Sequence, residues 1–244
     1  MPEGEKGHLQ MKTTLQRICA AALALCLALL CGCGSGEKQP EPTATPTPFD
    51  AKAYVEGGLN AVYLGRYSPE YIAMLGTTEE KCAESYERGI QVSLEVFAEY
   101  FSIELDACSE QVRQSLTELM RTLYGCAKYE VGAPVETAGG YAVEVTVHPI
   151  ATVQQVAQED YPVFTQEVAR KVAAGELDRG GQNFADWWAQ QLTALVSARL
   201  VAPEYLDAQT VTVTLEKNGD GAYAFSGSSL SDVDALIVTF PEAE

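Results

Sequence analysis

KYEVGAPVETAGGYAVEVTVH, residues 128–148, carries the change of period that decides the fold. Before it, apolar residues recur every three or four positions. Within it, Tyr129, Val131, Ala133 and Val135 alternate with polar or small neighbours, and after Gly139-Gly140 the alternation resumes in Tyr141, Val143, Val145 and Val147. A period of two puts those side chains on one face of a strand, and paired glycines supply the φ freedom of a tight turn. The stretch predicts a β-hairpin. A second hairpin follows the same logic: Val211, Val213 and Leu215, then Asn218-Gly219-Asp220-Gly221, then Tyr223 and Phe225. Two isolated hairpins are marginal in water, so they are expected to join into one antiparallel sheet with helices packed on its apolar face. The fold class is α+β.

The helical segments carry start and stop signals. Asp50 is an N-cap candidate for a first helix running through Tyr67, and Ser68-Pro69-Glu70 opens a short second one that Gly76 closes. Thr77 and Glu80 have capping-box spacing. The helix after them presents Tyr86, Ile90, Leu94, Phe97 and Phe101 on one face. Ser109 caps the next, with Val112, Leu116, Leu119 and Leu123 inward. Helical pattern returns from Ala151 to Ala174, with Asp160 and Pro162 expected to break or kink it. Another helix is expected from Asn183 to Leu200, and a last one capped by Ser229 with Leu230, Val233, Leu236 and Ile237 inward.

The N-terminal region has a different character. Met11 to Arg17 supplies two positive charges, and Ile18 to Leu30 is an apolar run too short for a comfortable membrane span. It ends in Leu30-Cys31-Gly32-Cys33, a lipobox pattern with Cys33 as first mature residue and site of lipidation; a plain secretory signal or an anchor helix is the alternative. The expected division is residues 1–10 as an extension preceding the true start at Met11, 11–32 as the signal peptide, 33–48 as the lipidated cysteine and linker, and 49–244 as a single extracytoplasmic domain. The linker GSGEKQPEPTATPTP, residues 34–48, has no large apolar side chain. At about 3.1 Å per residue it reaches roughly 45 Å as a polyproline-like tether.

Charge narrows the partners. The chain has 16 Lys+Arg against 34 Asp+Glu, a net charge of −18, and loss of residues 1–32 removes three cations and two acids to leave −19. Polyanions are repelled, so nucleic acid, anionic lipid headgroups and anionic wall polymers are poor partners, while cationic peptides, cations and neutral ligands stay open; the alternative is that the acidity serves solubility alone. Of seven cysteines, Cys82, Cys108 and Cys126 remain after processing and lipidation. An odd trio is no complete disulfide framework. It leaves either one bridge with a free thiol or three thiols serving as packing residues.

In the lipobox and Pro/Thr linker, in FDAKAYVEGGLNAVYLGRYSPEYIAMLGTTEEKC, in AKYEVGAPVETAGGYAVEVTVHPI and in VTVTLEKNGDGAYAF, the chain resembles a family of lipoproteins of low-GC Gram-positive bacteria built on a domain of unknown function. The likeness rests on layout and apolar pattern and implies an anchored α+β domain with no catalytic residues to carry over. By analogy, the architecture is also similar to cystatin-like and cone-like folds, in which a curved sheet grips a long helix.

Candidate chemistry is sparse. His148 is the one histidine of the mature chain, so a multi-histidine metal site is excluded, and G-x-S-x-G is absent. No metal or cofactor is called for. Glu130 and Glu144 lie on the polar side of their strands, where facing carboxylates can act as acid and base. Asn218-Gly219-Asp220-Gly221 lacks the spacing and closing glutamate of a calcium loop. Gly57 and Gly58, inside the first helix, cost about 1 kcal/mol each relative to alanine, a cost offset either by close helix packing or by room for a ligand. Trp187 and Trp188 point about 100° apart on a helix. Trp188 falls on the core stripe with Phe184, Leu192 and Leu195, and Trp187 at its edge, where it serves core packing or contacts a partner. The expected function is a membrane-anchored, non-enzymatic binding or interaction domain for a protein, peptide or small molecule, with Trp187, Gly57, Gly58 and His148 as contact candidates. An envelope hydrolase using Glu130 and Glu144, and a structural envelope component, are the alternatives.

Overall fold

A computed structural model describes residues 49–181 and 183–241. The extension, the signal peptide, Cys33 and the linker lie outside the described residues. The elements are α1 (Ala51–Leu64), α2 (Pro69–Leu75), α3 (Glu79–Tyr100), a 3₁₀ turn (Leu105–Ala107), α4 (Glu110–Tyr124), β1 (Lys128–Glu136), β2 (Gly140–His148), α5 (Thr152–Gln155), a π-helical turn (Val156–Asp160), α6 (Tyr161–Ala173), α7 (Phe184–Leu200), β3 (Gln209–Lys217), β4 (Tyr223–Phe225) and α8 (Ser229–Ile237). No helix among the described residues is long and apolar enough to cross a membrane.

The two hairpins join as expected. The sheet is antiparallel with order β1-β2-β3-β4, and the join runs from Gly140 opposite Glu216 to Val147 opposite Gln209. Val143, Val145, Val147, Val213 and Leu215 are fully buried on the inner face, each contributing roughly 1.5–3 kcal/mol. The helices α1 and α8 lie against that face, with α3, α4 and α7 behind them. The outer face is polar, and the Thr146 and Thr210 hydroxyls meet at 3.0 Å across β2 and β3. Phe49, the first described residue, stacks on Tyr223 with ring centroids 4.2 Å apart. Phe49 therefore lies at the hairpin-turn end of the sheet.

Four local expectations are corrected. In β1, Val131 pairs with Val145 but Pro134 pairs with Val143, so one extra residue is accommodated at Gly132-Ala133. This bulge reverses the facing of the strand beyond it. Val135, expected inward, is 64% exposed, and Ala133 is exposed too. The first helix stops at Leu64 because Gly65 takes a left-handed φ of 59°. Thr77 is no cap: its amide donates to the Ile72 carbonyl to close α2, and Thr78 accepts from the Lys81 amide instead. Ser229 is the first residue of α8, and its hydroxyl ties the helix to the sheet by accepting from the Thr214 amide at 3.0 Å.

The segment from Thr152 to Ala173 holds the most consequential departure. Pro162 has no N–H, and in an α-helix its ring would collide with the carbonyl four residues back. A break or a kink is the expectation at this point. The chain instead widens into one π turn, in which the Tyr161 amide donates to the Val156 carbonyl, and continues as α6. Arg199 on α7 clamps this turn, with Nε 2.9 Å from Asp160 Oδ2 and Nη2 2.8 Å from Glu159 Oε2. The extra residue shifts the phase of everything after it by about 100° and turns Tyr161, Phe164 and Thr165 towards α7 and its connections.

Candidate binding cleft

The residues singled out from sequence are scattered. His148 ends β2 on the outer face, its Nε2 3.9 Å from Glu130 Oε1. Glu130 and Glu144 do not sit opposite one another: Glu130 pairs with Thr146, and Glu144 pairs with Thr212 on the other side of β2. The space beside the two α1 glycines is filled. A Cβ on Gly57 would stand 2.5 Å from Cδ2 of Tyr71, and one on Gly58 would stand 2.7 Å from Cζ of Phe225. The glycines let α2 and β4 press aromatic rings onto the helix backbone, which is the packing explanation of their cost. Trp187 is half-buried between Phe164 and Phe184, with ring centroids 5.9 Å away in each case. Cys82, Cys108 and Cys126 form no disulfide, and burial raises the pKa of all three thiols. In the second turn of the sheet, Asn218 Oδ1 accepts from the Asp220 and Ala222 amides at 3.0 Å each, so this side-chain oxygen is spent on the turn. No group of three or more His, Cys, Asp or Glu among the described residues is placed to hold a metal.

What the fold does assemble is a cleft of about 610 Å³ among α6, α7 and the connection from α3 to α4. One wall comes from the π turn, which brings Tyr161 and Thr165 to the surface of the cleft. A second comes from the start of α7, with Phe184, Ala185 and Trp188. Ser102, Glu104 and Ala107 form a third, and Arg179, Gly180 and Gly181 line the remaining side.

The third wall is locally strained. At the end of α3 the Ser102 amide donates to the Glu99 carbonyl and the Ile103 amide to the Ala98 carbonyl, the bonding of a Schellman turn. That turn needs a left-handed residue, and glycine is the usual occupant. Here Ser102 holds a φ of 55°, the one positive value at a non-glycine among the described residues. Such a conformation costs about 1 kcal/mol or more. Ile103, buried immediately after it, fixes the turn against the core. The strained serine thus lines the same cleft as Tyr161, the first residue after the π turn, and hydrogen-bonds with it.

The aromatic wall is held rigidly. Trp188 Nε1 donates to the Phe101 carbonyl at 3.0 Å, and the indole makes an edge contact with Tyr161 at 6.2 Å. Asp186 Oδ1 accepts from the Ser109 amide at the N-terminus of α4. That backbone bond, first, and the Ser109 side chain, second, hold the Asp186 carboxyl below its usual pKa. Burial raises the Tyr161 phenol, and the hydrogen bond from Ser102 opposes that rise in part, so Tyr161 enters neutral pH protonated. The lining contains no histidine or cysteine. Its repertoire is therefore aromatic contact, hydroxyl hydrogen bonds and two full charges, Glu104 and Arg179.

Scans against family models, curated proteins and solved structures return no match to this chain. The geometry of the cleft is accordingly the main guide to function.

Sequence reasoning placed Trp188 in the core and looked to Trp187 for contacts. Trp187 is half-buried and Trp188 buried, but Trp188 is the one that borders the cleft. The usable signal was the Tyr161-Pro162 pair inside a helical pattern, since a proline tolerated there needs a widened turn.

Proposed function

We propose that this chain is a lipid-anchored extracytoplasmic binding domain whose ligand site is the cleft bounded by Tyr161, Phe184 and Trp188. The observation that carries the reading is the combination of size and lining. A cleft of about 610 Å³ lined by Tyr161, Phe184 and Trp188 together with Ser102, Glu104, Thr165 and Arg179 has the size of a small-molecule site and offers it both ring faces and polar groups. The leader ending in Cys33 and the tether of residues 34–48 support placement at the outer membrane face, and with them membership of the lipoprotein family that the chain resembles. A cystatin-like or cone-like architecture is kept as an analogy, suggested by α1 packing across β1 and β2.

The test of the binding reading is a ligand-observed NMR screen of small metabolites and peptides against the mature chain and an Ala107→Trp variant. Ala107 is exposed and lines the cleft, so the new indole fills it. Ligands are expected to bind the wild type and to be lost from the variant. Ligands that bind both equally would place the site elsewhere. Anchoring is tested separately: labelled palmitate should enter the wild-type chain in cells and not Cys33→Ala.

A further inference from the structure

The charges of the cleft carry an inference that rests on this binding reading and narrows it. Carboxylates outnumber cations twofold in this chain, and Arg113, Arg121, Arg170 and Arg199 each hold at least one carboxylate within 3.3 Å. Arg179 does not. It lies exposed on the cleft lining, and no carboxylate of the described residues comes within the 4 Å of an ion pair. Glu104, also exposed on the lining, is likewise unpaired and does not reach Arg179. Two opposite charges thus line one cleft without neutralising each other, with the aromatic wall of Tyr161 and Trp188 as a third element.

We propose that the cleft takes a zwitterion with an apolar or aromatic body, of the class of a short peptide with both termini free. Each simpler class leaves a charge unmet. A lone anion meets Arg179 but is repelled by Glu104 and by the −19 of the mature chain. A lone cation meets Glu104 but faces Arg179. A neutral ring stacks on the wall but engages neither charge. A free carboxylate matches the planar fork of Arg179, a free ammonium matches Glu104, and an apolar side chain between them covers the rings. A cleft of about 610 Å³ accommodates a ligand of di- or tripeptide size.

The test uses Ala-Phe-Ala in four forms, with free ends, N-acetylated, C-amidated and doubly blocked, titrated against the full mature chain by intrinsic tryptophan fluorescence. Both tryptophans of the chain adjoin the cleft region. The free form is expected to bind, and each block is expected to weaken it about tenfold. Arg179→Ala should lose discrimination against the amide while keeping discrimination against the acetyl group, and Glu104→Gln should do the reverse. Both side chains are exposed and unpaired, so these variants fold as the wild type does. Equal binding of free and doubly blocked peptide overturns the zwitterion while leaving the cleft as a site. Silence from all four forms, alongside screen ligands that Ala107→Trp excludes, overturns it in the same way. If that screen is empty too, the binding reading falls with it.

Discussion

Replacing Asp234 by asparagine should stabilise the protein at neutral pH and do progressively less as pH falls. Asp234 sits on α8 and hydrogen-bonds with Tyr63 of α1, whose ring stacks on Tyr124. Part of the residue reaches the surface, but its Oδ1 is sealed from water and has no hydrogen-bond partner, so the carboxyl group itself is buried. Burial pushes its pKa from 3.8 to about 7, opposed in part by the Tyr63 hydrogen bond. Below about pH 4 both the folded and unfolded chains hold the proton, and the group makes no demand on stability. Between about pH 4 and 7 the unfolded chain has released a proton that the folded one retains, so stability falls by ~1.4 kcal/mol per pH unit. Above about pH 7 both are ionised, and the full cost, at most about 4 kcal/mol for that interval, is in place. Asparagine keeps the shape and an oxygen for Tyr63 but never ionises. Urea titrations of both proteins at pH 5, 6, 7 and 8 and fixed ionic strength isolate this group, because other titrations cancel in the difference. The advantage of the variant should grow by about 2–3 kcal/mol from pH 5 to 8 and level off at the top. A difference that stays constant within about 0.5 kcal/mol over that range would refute the reasoning, since it would mean that the carboxylate is solvated in the native state.

Further outcomes follow from packing and thiol chemistry. Helix propensity alone makes Gly57→Ala stabilising by about 1 kcal/mol, but the Cβ would stand 2.5 Å from Tyr71, so a net loss of about 1–3 kcal/mol is expected in thermal melts; an unchanged or raised Tm contradicts the close-packing account. Val135→Thr should stay within about 0.5 kcal/mol of wild type, whereas Val145→Ala should cost roughly 1.5–3 kcal/mol, and comparable losses from the two in denaturant unfolding would mean that the β1 bulge does not exist. Cys82, Cys108 and Cys126 should all alkylate in denaturant without reductant, and the two buried ones, Cys82 and Cys108, should react slowly in the native state; an intact mass lacking two of the three labels would reveal a disulfide.

Legibility varied with how local the governing physics is. The alternation in residues 140–148 was unambiguous because β2 is an interior strand with its valines on one covered face. Along β1 the same pattern misled beyond Gly132, since a bulge is a response to the partner strand and the sequence period carries no trace of it. Asp50, Ser68 and Ser109 cap their helices as expected because a cap bonds within three residues of itself. Thr77 is not the cap because the helix begins one residue later, at Glu79, where the Thr78 hydroxyl takes the Lys81 amide. Among the contact candidates, Gly57 and Gly58 were flagged for a real cost. What occupied the space beside them depended on Tyr71 and on Phe225, the latter more than 160 positions away in the chain.

The amino-acid sequence by itself determined the α+β class, the two hairpins, most helix starts and the acidic balance, because periodicity, capping and charge act over a few residues. Only the tertiary structure decided that the helix through Pro162 would widen rather than break, that Ser102 would bear a left-handed turn, and that Glu104, Tyr161, Arg179 and Trp188 would border one cleft. Those residues come from four separate segments, and their meeting depends on helix phase, on the Arg199 clamp and on the docking of α7 to the start of α4; of these only the phase change leaves a local mark, the proline at 162, and the other two are long-range contacts.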